Sequence, residues 1–315
     1  YKDGRHPSSV TFCTAEQDAQ RRDFTCNGLF FDPISEHLID YVGGQADIQT
    51  KTLRAIGDPA ARFSEDHLRM MRAVRFAARL DFTIDSQTWD AICQSAPAIS
   101  SISRERVGQE LRLMLVHPSR KNAAELLISS GLMAQIWPLH FTRTELGFDS
   151  QLTRIPAESS FELALAALVH DLSPTASPAE ILRKLQDRLA LSGEEKDHTF
   201  WLLDKLPVLE KWRTARVAVL KRLMANQWFE DLLKLFRAAE SHPSGGLDTR
   251  LAKLREGEIA PEPFITGDDL IKLGVSPSPN FRKWLEELYD RQLEDEFPAK
   301  KSALHAAREL IQKNT

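Results

Sequence analysis

The chain has 315 residues, of which 42% are hydrophobic and 27% charged, and its formal net charge at pH 7 is -4. This composition is ordinary for a soluble globular protein, and no apolar run approaches the ~20 residues that a transmembrane helix needs. Three cysteines without paired spacing (Cys13, Cys26 and Cys93) argue against a disulfide framework and a thiolate metal site, so we expect a reducing, cytoplasmic setting.

The first 48 residues are predicted to be the C-terminal part of a small α/β domain. A short β-type run at residues 10–12 precedes a helical stretch at 15–22, and residues 29–31 and 38–42 predict a hairpin that ends at Gly43 and Gly44. Three strands cannot form an independent core. The chain also begins without a methionine or a secretion signal, so we expect the rest of the sheet to lie upstream in a longer gene product.

From about residue 51 the pattern is helical almost to the end of the chain, which predicts a mainly α fold. Ser64 is a candidate N-cap for a helix that starts near Glu65 and repeats apolar residues at helical spacing as far as Leu80. The segments 177–180 and 192–195 have the composition of capping boxes, the first with a proline at the favoured first position.

A cationic face is predicted on the helix that starts near Glu65. Advancing ~100° per residue places four arginines within an arc of ~120°, with apolar residues on the opposite side. The four are Arg69, Arg72, Arg75 and Arg79. Taken alone, such a face is more typical of a solvated surface whose arginines pair with carboxylates.

Asp66 and Arg69, three residues apart and therefore neighbours on one face of the predicted helix, are a candidate base-reading pair. A guanidinium can donate to the ring acceptor of adenine or cytosine while a carboxylate accepts from the exocyclic amine. Guanine and uracil present the opposite order of donors and acceptors, so the pair would select C and A. Each residue alone is better explained by the helix dipole or by an ordinary salt bridge.

The segment Arg21-Arg22-Asp23 is a candidate phosphate and ribose site. Two adjacent cations suit a triphosphate, and the carboxylate could accept from a ribose 2′-hydroxyl. As a lone tripeptide it is more often surface charge.

These segments resemble the class II tRNA nucleotidyltransferases, a family of CCA-adding enzymes and poly(A) polymerases. The similar runs, in the family's order, are YKDGRHP at residues 1–7, RRDFTCN at 21–27, DYVGGQAD at 40–47, RAIGDP at 54–59 with RF and EDHLRMMRAVRFA at 62–77, and ISRERV with EL at 102–111.

The resemblance implies a role for each matching residue. It gives Asp23 the ribose, Arg22 and Asn27 the phosphates with Arg21 beside them, and Asp66 and Arg69 the base. Arg72 would help to hold the nucleotide, and Gly43 and Gly44 would be a hinge. A plain hairpin exit is the alternative explanation for the two glycines.

The resemblance also implies domains, substrates and a cofactor. The expected domains are the end of a nucleotidyltransferase head (1–48), a base-recognising neck (49–120), a helical body (121–240) and a tRNA-contacting tail (241–315). The expected partners are CTP, ATP and the 3′ end of tRNA or another RNA, with no membrane or protein partner. In the family, two aspartates one residue apart bind two Mg²⁺ ions. No Asp-x-Asp occurs in residues 1–48, so we expect these catalytic ligands upstream and this chain alone to be inactive.

Several alternatives stay open at this point. The same base-reading pair suits a poly(A) polymerase or an enzyme that adds only A, and a protein without metal-binding aspartates would be a non-catalytic RNA-binding helical protein. His170-Asp171 superficially suggests a metal phosphohydrolase, although a structural role at the end of a helix is the favoured explanation of this pair.

The tail carries seven basic residues that could contact RNA phosphates. Its Pro277-Ser278-Pro279 turn departs from the family's Pro-Gly-Pro. The seven are Arg250, Lys253, Lys272, Arg282, Lys283, Lys300 and Lys301.

Overall fold

The computed structural model describes residues 14–137, 146–147, 150–175, 177–239, 245–276 and 279–314. The chain divides into two compact units, Tyr1–Phe200 and Trp201–Thr315. Helices predominate in both units, as predicted. Within the described residues no helix combines the length and the hydropathy needed to cross a bilayer.

The first unit begins with a helix and a hairpin, as predicted. Helix α1 (Ala15–Arg21) is followed by a 3-10 turn at Thr25–Asn27 and by strands β1 (Leu29–Asp32) and β2 (His37–Asp40). The strands are antiparallel, with Phe30 opposite Ile39 and Asp32 opposite His37. The β-type run expected at residues 10–12 lies outside the described residues.

A second pair of strands was not predicted. After α2 (Gly44–Gln49), β3 (Thr52–Leu53) pairs in parallel with β4 (Thr83–Ile84). Two residues are too few to give a period-2 pattern, so local sequence carries no signal for them. The pair fixes the two ends of the segment that contains the candidate base-reading residues.

That segment forms two helices, where the sequence pattern suggested one. Helix α3 (Pro59–Glu65) begins at the N-cap Asp58, whose carboxylate accepts from the Ala61 amide at 3.0 Å. Helix α4 runs over Leu68–Leu80. The prediction of Ser64 as an N-cap and of a helix starting near Glu65 is therefore wrong. An Asp-Pro start is the stronger signal, because the aspartate caps the helix and the proline is preset for its first turn.

The predicted apolar side of α4 is confirmed. Met70, Met71, Ala73 and Val74 are fully buried, and Ala77 is nearly so. The remaining helices of the first unit are α5 (Ser86–Ser95), α6 (Arg104–Leu115), α7 (Arg120–Ser129), α8 (Leu132–Ile136), α9 (Gln151–Arg154), α10 (Phe161–Leu172) and α11 (Pro178–Leu189), with a 3-10 segment at Ala96–Ser101. Of these, α6 and α7 pack directly against α4.

Of the two predicted capping boxes, one forms. Ser192 and Glu195 exchange hydrogen bonds of 2.7 and 3.1 Å at the start of α12 (Gly193–Glu210), the helix within which the two units divide. Ser177 makes no capping hydrogen bond at the start of α11, although Pro178 occupies the first turn. The Ser177 capping box is therefore wrong.

The second unit has helices and no strands among its described residues. After the C-terminal part of α12, its helices are α13 (Val217–Met224), α14 (Phe229–Ala239), α15 (Leu247–Arg255), α16 (Gly267–Lys272), α17 (Pro279–Leu293) and α18 (Lys300–Asn314). A cluster that includes Leu270, Leu288 and Ala307 forms a core for its last three helices. Two residues of the divergent Pro277-Ser278-Pro279 turn lie outside the described residues.

Candidate nucleotide-binding site

Asp23 joins the two sequence-distant halves of the site directly. Its Oδ2 accepts from Nε and Nη2 of Arg72 at 2.9 and 2.6 Å, across 49 positions of sequence. Its Oδ1 accepts from the Phe24 amide and from Nδ2 of Asn27, both at 3.0 Å. Four hydrogen bonds fill the acceptor capacity of a carboxylate. Asp23 could therefore accept from a ribose hydroxyl only by giving up one of them.

Arg22 and Asn27 lie together beside Asp23. Nη1 of Arg22 donates to the Asn27 carbonyl at 2.6 Å, while its Nε and Nη2 donate to Asp18 at 3.3 and 3.0 Å. The guanidinium also lies over the Phe30 ring, 4.4 Å from its centroid. Arg21, the last residue of α1, is exposed. The predicted phosphate-binding cations thus lie at the end of one short helix.

Three of the four arginines of α4, Arg69, Arg72 and Arg75, are paired with carboxylates, as the plainer interpretation of that face suggested. Arg75 donates to the buried Glu110 of α6 at 2.6 Å, and Arg72 lies 3.8 Å from the same carboxylate. Sequence reasoning assigned no role to Glu110 within the Glu110-Leu111 motif. A buried carboxylate needs such cationic partners, and it holds α6 against α4.

Asp66 lies in the break between α3 and α4, with an extended backbone at φ -152° and ψ 102°. Its Oδ1 accepts from the Leu68 amide at 3.1 Å, and its Oδ2 accepts from Nη2 of Arg106 at 2.7 Å. Partial burial acts to raise the pKa of Asp66, but the hydrogen bond from Arg106 and that from Leu68 hold the pKa below its ordinary value. The carboxylate is therefore ionised, and each oxygen keeps a lone pair for a base amine.

Arg69, in the first turn of α4, is held by two residues of α3. Its Nη1 donates to the Arg62 carbonyl at 2.9 Å and to Oε2 of Glu65 at 2.6 Å. Among the described residues both side-chain hydrogen bonds use Nη1, which leaves Nε and Nη2 to donate to a base. The expectation that Asp66 and Arg69 share one helix face is wrong. Asp66 precedes α4, and its carbonyl accepts from the Arg69 amide at 3.1 Å.

The predicted hinge glycines mark the start of α2. Gly43 has the left-handed φ of +78°, and a Cβ added at Gly44 would lie 2.2 Å from the Thr25 carbonyl oxygen. The Asp40 carboxylate accepts from the amides of both glycines at 2.9 and 3.1 Å, and from those of Val42 and Gln45. These contacts anchor the exit of the hairpin, and sequence reasoning gave Asp40 no such part.

Residues elsewhere on the chain have mainly structural partners. Asp171 accepts from Ser150 Oγ at 2.6 Å and from the Gln151 and Leu152 amides at 2.9 and 3.0 Å, so it caps α9. The His170 ring hydrogen-bonds the Gln151 side chain at 2.8 Å.

Some cations of the tail also have structural partners. Arg250 donates to backbone carbonyls, for example to that of Ala215 at 2.7 Å. Lys300 pairs with Asp269, and Arg282 pairs with Glu286. Lys253, Lys272, Lys283 and Lys301 are exposed.

The described residues do not supply a metal site. Among them, no group of three or more histidine, cysteine, aspartate or glutamate side chains could hold an ion. The carboxylates of the candidate site are committed to arginines, and a cation would have to displace these partners. The residues of this chain that the structure describes therefore do not fit the two-metal centre that the resemblance implies.

Comparison with family models gives two matches. Residues 1–54 match the Poly A polymerase head domain, and residues 81–142 match the Probable RNA and SrmB- binding site of polymerase A.

Curated relatives align over most of this chain. The CCA-adding enzyme of Geobacillus kaustophilus is 32% identical over 302 residues, which are 92% of this chain and 70% of that protein. The CCA-adding enzyme of Geobacillus stearothermophilus is 31% identical over 97% of this chain and 75% of its own length. A shorter alignment, with that of Geobacillus sp. WCH70, is 42% identical over 46% of this chain and 36% of the relative. The chain thus spans only part of each relative.

Solved structures share the fold. The crystal structure of the Bacillus stearothermophilus CCA-adding enzyme in complex with CTP has a TM-score of 0.77 and 26% identity, covering 98% of this chain and 78% of that one. The Thermotoga maritima CCA-adding enzyme complexed with tRNA_CCA has a TM-score of 0.64 and 20% identity, covering 95% and 74%. These likenesses confirm the predicted fold class, a small head remnant followed by helices.

Proposed function

The chain belongs to the family of CCA-adding enzymes, and we propose that the protein from which it comes adds C and A from CTP and ATP to the 3′ end of tRNA without a template. The observation that carries this proposal is the Asp23–Arg72 pair, with hydrogen bonds of 2.9 and 2.6 Å. It brings the segment with cations for phosphates against the helix that carries the candidate base-reading arginine.

Base selection is assigned to Asp66 and Arg69. The Asp66 carboxylate is ionised and keeps acceptor capacity toward a base amine, and Arg69 keeps two nitrogen donors toward a ring acceptor. Cytosine and adenine satisfy both groups. Uracil and guanine would place a donor against the Arg69 guanidinium and an acceptor against the Asp66 carboxylate. Selection of C and A by fixed side chains would need no template strand.

The remaining assignments are proposals taken from the family resemblance, and the same placement supports them. Arg21, Arg22 and Asn27 would hold the triphosphate. Asp23 would accept from the ribose hydroxyl in exchange for one of its four present hydrogen bonds, with Arg72 beside it. A pivot at Gly43 and Gly44 would let the primer end advance.

Metal chemistry is proposed for the whole protein. Magnesium would activate the primer 3′-hydroxyl and neutralise the leaving pyrophosphate. The described residues contain no group of three or more histidine, cysteine, aspartate or glutamate side chains that could hold an ion, so no step is assigned to them. We place the reaction in the cytoplasm, where tRNA is processed.

The proposal is tested with the full-length protein that contains this chain. It is incubated with tRNA lacking its terminal CCA and with labelled CTP and ATP, and the added ends are sequenced. We expect addition of CCA. Addition of A alone would favour a poly(A) polymerase or A-adding enzyme, and no addition alongside tight RNA binding would favour a non-catalytic RNA-binding protein.

Arg69→Ala tests the base-reading assignment. A hydrogen bond to a charged group contributes about 1.5–3 kcal/mol, so we expect preference for CTP and ATP over UTP and GTP to fall at least about tenfold, with tRNA affinity unchanged. Arg79→Ala, which removes an exposed arginine of the same helix, is the matched control. Equal loss of tRNA binding in Arg69→Ala would contradict the assignment.

A further inference from the structure

Arg62, on α3, contacts the backbone of the phosphate- and ribose-facing segment. Its side chain is only 14% exposed. Nη2 donates to the carbonyl of Gln20 at 2.8 Å and to that of Arg22 at 2.5 Å, which lie 42 and 40 positions before Arg62 in the sequence. Carbonyls at the end of α1 have no partner within the helix, so one guanidinium nitrogen satisfies two of them. The segment that presents Arg21, Arg22 and Asp23 is thereby fixed to α3.

The other end of the same guanidinium contacts the support of Arg69. Nη1 of Arg62 donates to Oε2 of Glu65 at 2.9 Å, and this oxygen also accepts from Nη1 of Arg69 at 2.6 Å. The Arg62 carbonyl accepts from the same Arg69 nitrogen at 2.9 Å. Arg62 therefore contributes to both hydrogen bonds of the Arg69 side chain. Its own carbonyl accepts one of them, and its side chain orients the Glu65 carboxylate that accepts the other.

A purely stabilising role explains this arginine poorly. Its Nε is buried without a hydrogen-bond partner among the described residues, and a buried unpaired donor is destabilising. The Glu65 carboxylate is 53% exposed, and ion pairs to such groups add little stability. The arrangement fixes the separation between Arg69 and the backbone at residues 20–22.

We propose that Arg62 is a positioning residue for base selection, holding Arg69 at a set place relative to the segment that binds the phosphates and the ribose. The inference rests on the proposed function. A nucleotide's base and phosphates are joined through one ribose, so the groups that read the base discriminate only if they are fixed relative to those that hold the phosphates. A planar guanidinium can bridge two carbonyls and a carboxylate at once.

The test uses Arg62→Lys in the full-length protein. Lysine keeps the charge, but a single ammonium cannot maintain the bridge from both carbonyls to Glu65. We expect the preference in kcat/KM for CTP and ATP over UTP and GTP to fall about tenfold, the effect of one charged hydrogen bond, with tRNA affinity unchanged. Arg62→Gln, which can still donate to one carbonyl, is a second variant, and thermal unfolding checks that both fold. Arg104→Ala removes an arginine that is 56% exposed and paired only with the adjacent Glu105 among the described residues, and serves as the control.

A double variant separates positioning from a structural role. If Arg62 acts through Arg69, adding Arg62→Lys to Arg69→Ala lowers nucleotide preference no further. Preference losses that multiply in the double variant, or an equal rate loss with all four nucleotides in Arg62→Lys, would overturn the inference while leaving the proposed function intact. A wild-type protein that adds neither C nor A would instead refute the proposed function and this inference with it.

Discussion

Asp23→Asn is expected to weaken the link between the phosphate-facing segment and α4. The substitution keeps the shape of the side chain but removes the charge that accepts two hydrogen bonds from Arg72. Hydrogen bonds to a charged group contribute about 1.5–3 kcal/mol, and neutral ones about 0.5–1.5 kcal/mol. The loss is therefore about 1 kcal/mol per bond, or about 2 kcal/mol in all. Because the Asp23 side chain is only 10% exposed, water does not replace the lost interaction.

The assay is unfolding in urea, followed by hydrogen exchange of peptides that cover α4. With a denaturant slope of about 2 kcal/mol per molar, the midpoint should fall by about 1 M. Asp18→Asn makes the same chemical change in a carboxylate that is 45% exposed and paired with Arg22, where about 0–1 kcal/mol is at stake. Equal midpoint shifts in the two variants would refute the reasoning, because burial would then make no difference to the pair.

The same variant tests the ribose assignment. In the full-length protein, the kcat/KM preference for CTP over dCTP should fall about tenfold if Asp23 accepts from the 2′-hydroxyl. An unchanged preference, together with lower stability, would leave Asp23 with the positioning of Arg72 alone.

Two further predictions concern the hairpin exit and the tail. Gly44→Ala should lower the melting temperature more than Gly43→Ala, because its Cβ meets a backbone oxygen at 2.2 Å, whereas the second variant adds only the strain of a positive φ, about 1–2 kcal/mol. Equal melting temperatures would show that the backbone adjusts freely. Two hydrogen bonds, from the Lys300 ammonium and from the Thr266 amide, lower the pKa of the Asp269 carboxyl to about 2. A depressed folded-state pKa adds stability above the unfolded-state value near 4, and this stability is lost as the pH falls from about 4 to about 2. Lys300→Met should show a smaller loss over that window when unfolding is followed by circular dichroism, and an unchanged pH profile would contradict the pairing.

Much of the local architecture was predictable. The hairpin, the helix α1 and the apolar side of α4 follow from turn residues and from repeats of 2.0 and 3.6 residues, which are written in short stretches of sequence. The same pattern could not show that α3 and α4 are separate helices, because the break at Asp66 interrupts neither the charge pattern nor the apolar repeat. Asp58 and Pro59 are the local signal for the earlier helix start.

The sequence by itself determined which side chains are available for the chemistry: a mainly helical chain with clustered arginines, and carboxylates placed beside them in an order that resembles a nucleotidyltransferase family. Only the tertiary structure decided how these groups are paired. Asp23 meets Arg72 across 49 positions, Asp66 meets Arg106 across 40, and Arg62 reaches back to the carbonyl of Arg22 across 40. The choice of partner for a charged group depends on which elements pack together and on which backbone carbonyls are left open, and neither is encoded within a single helix.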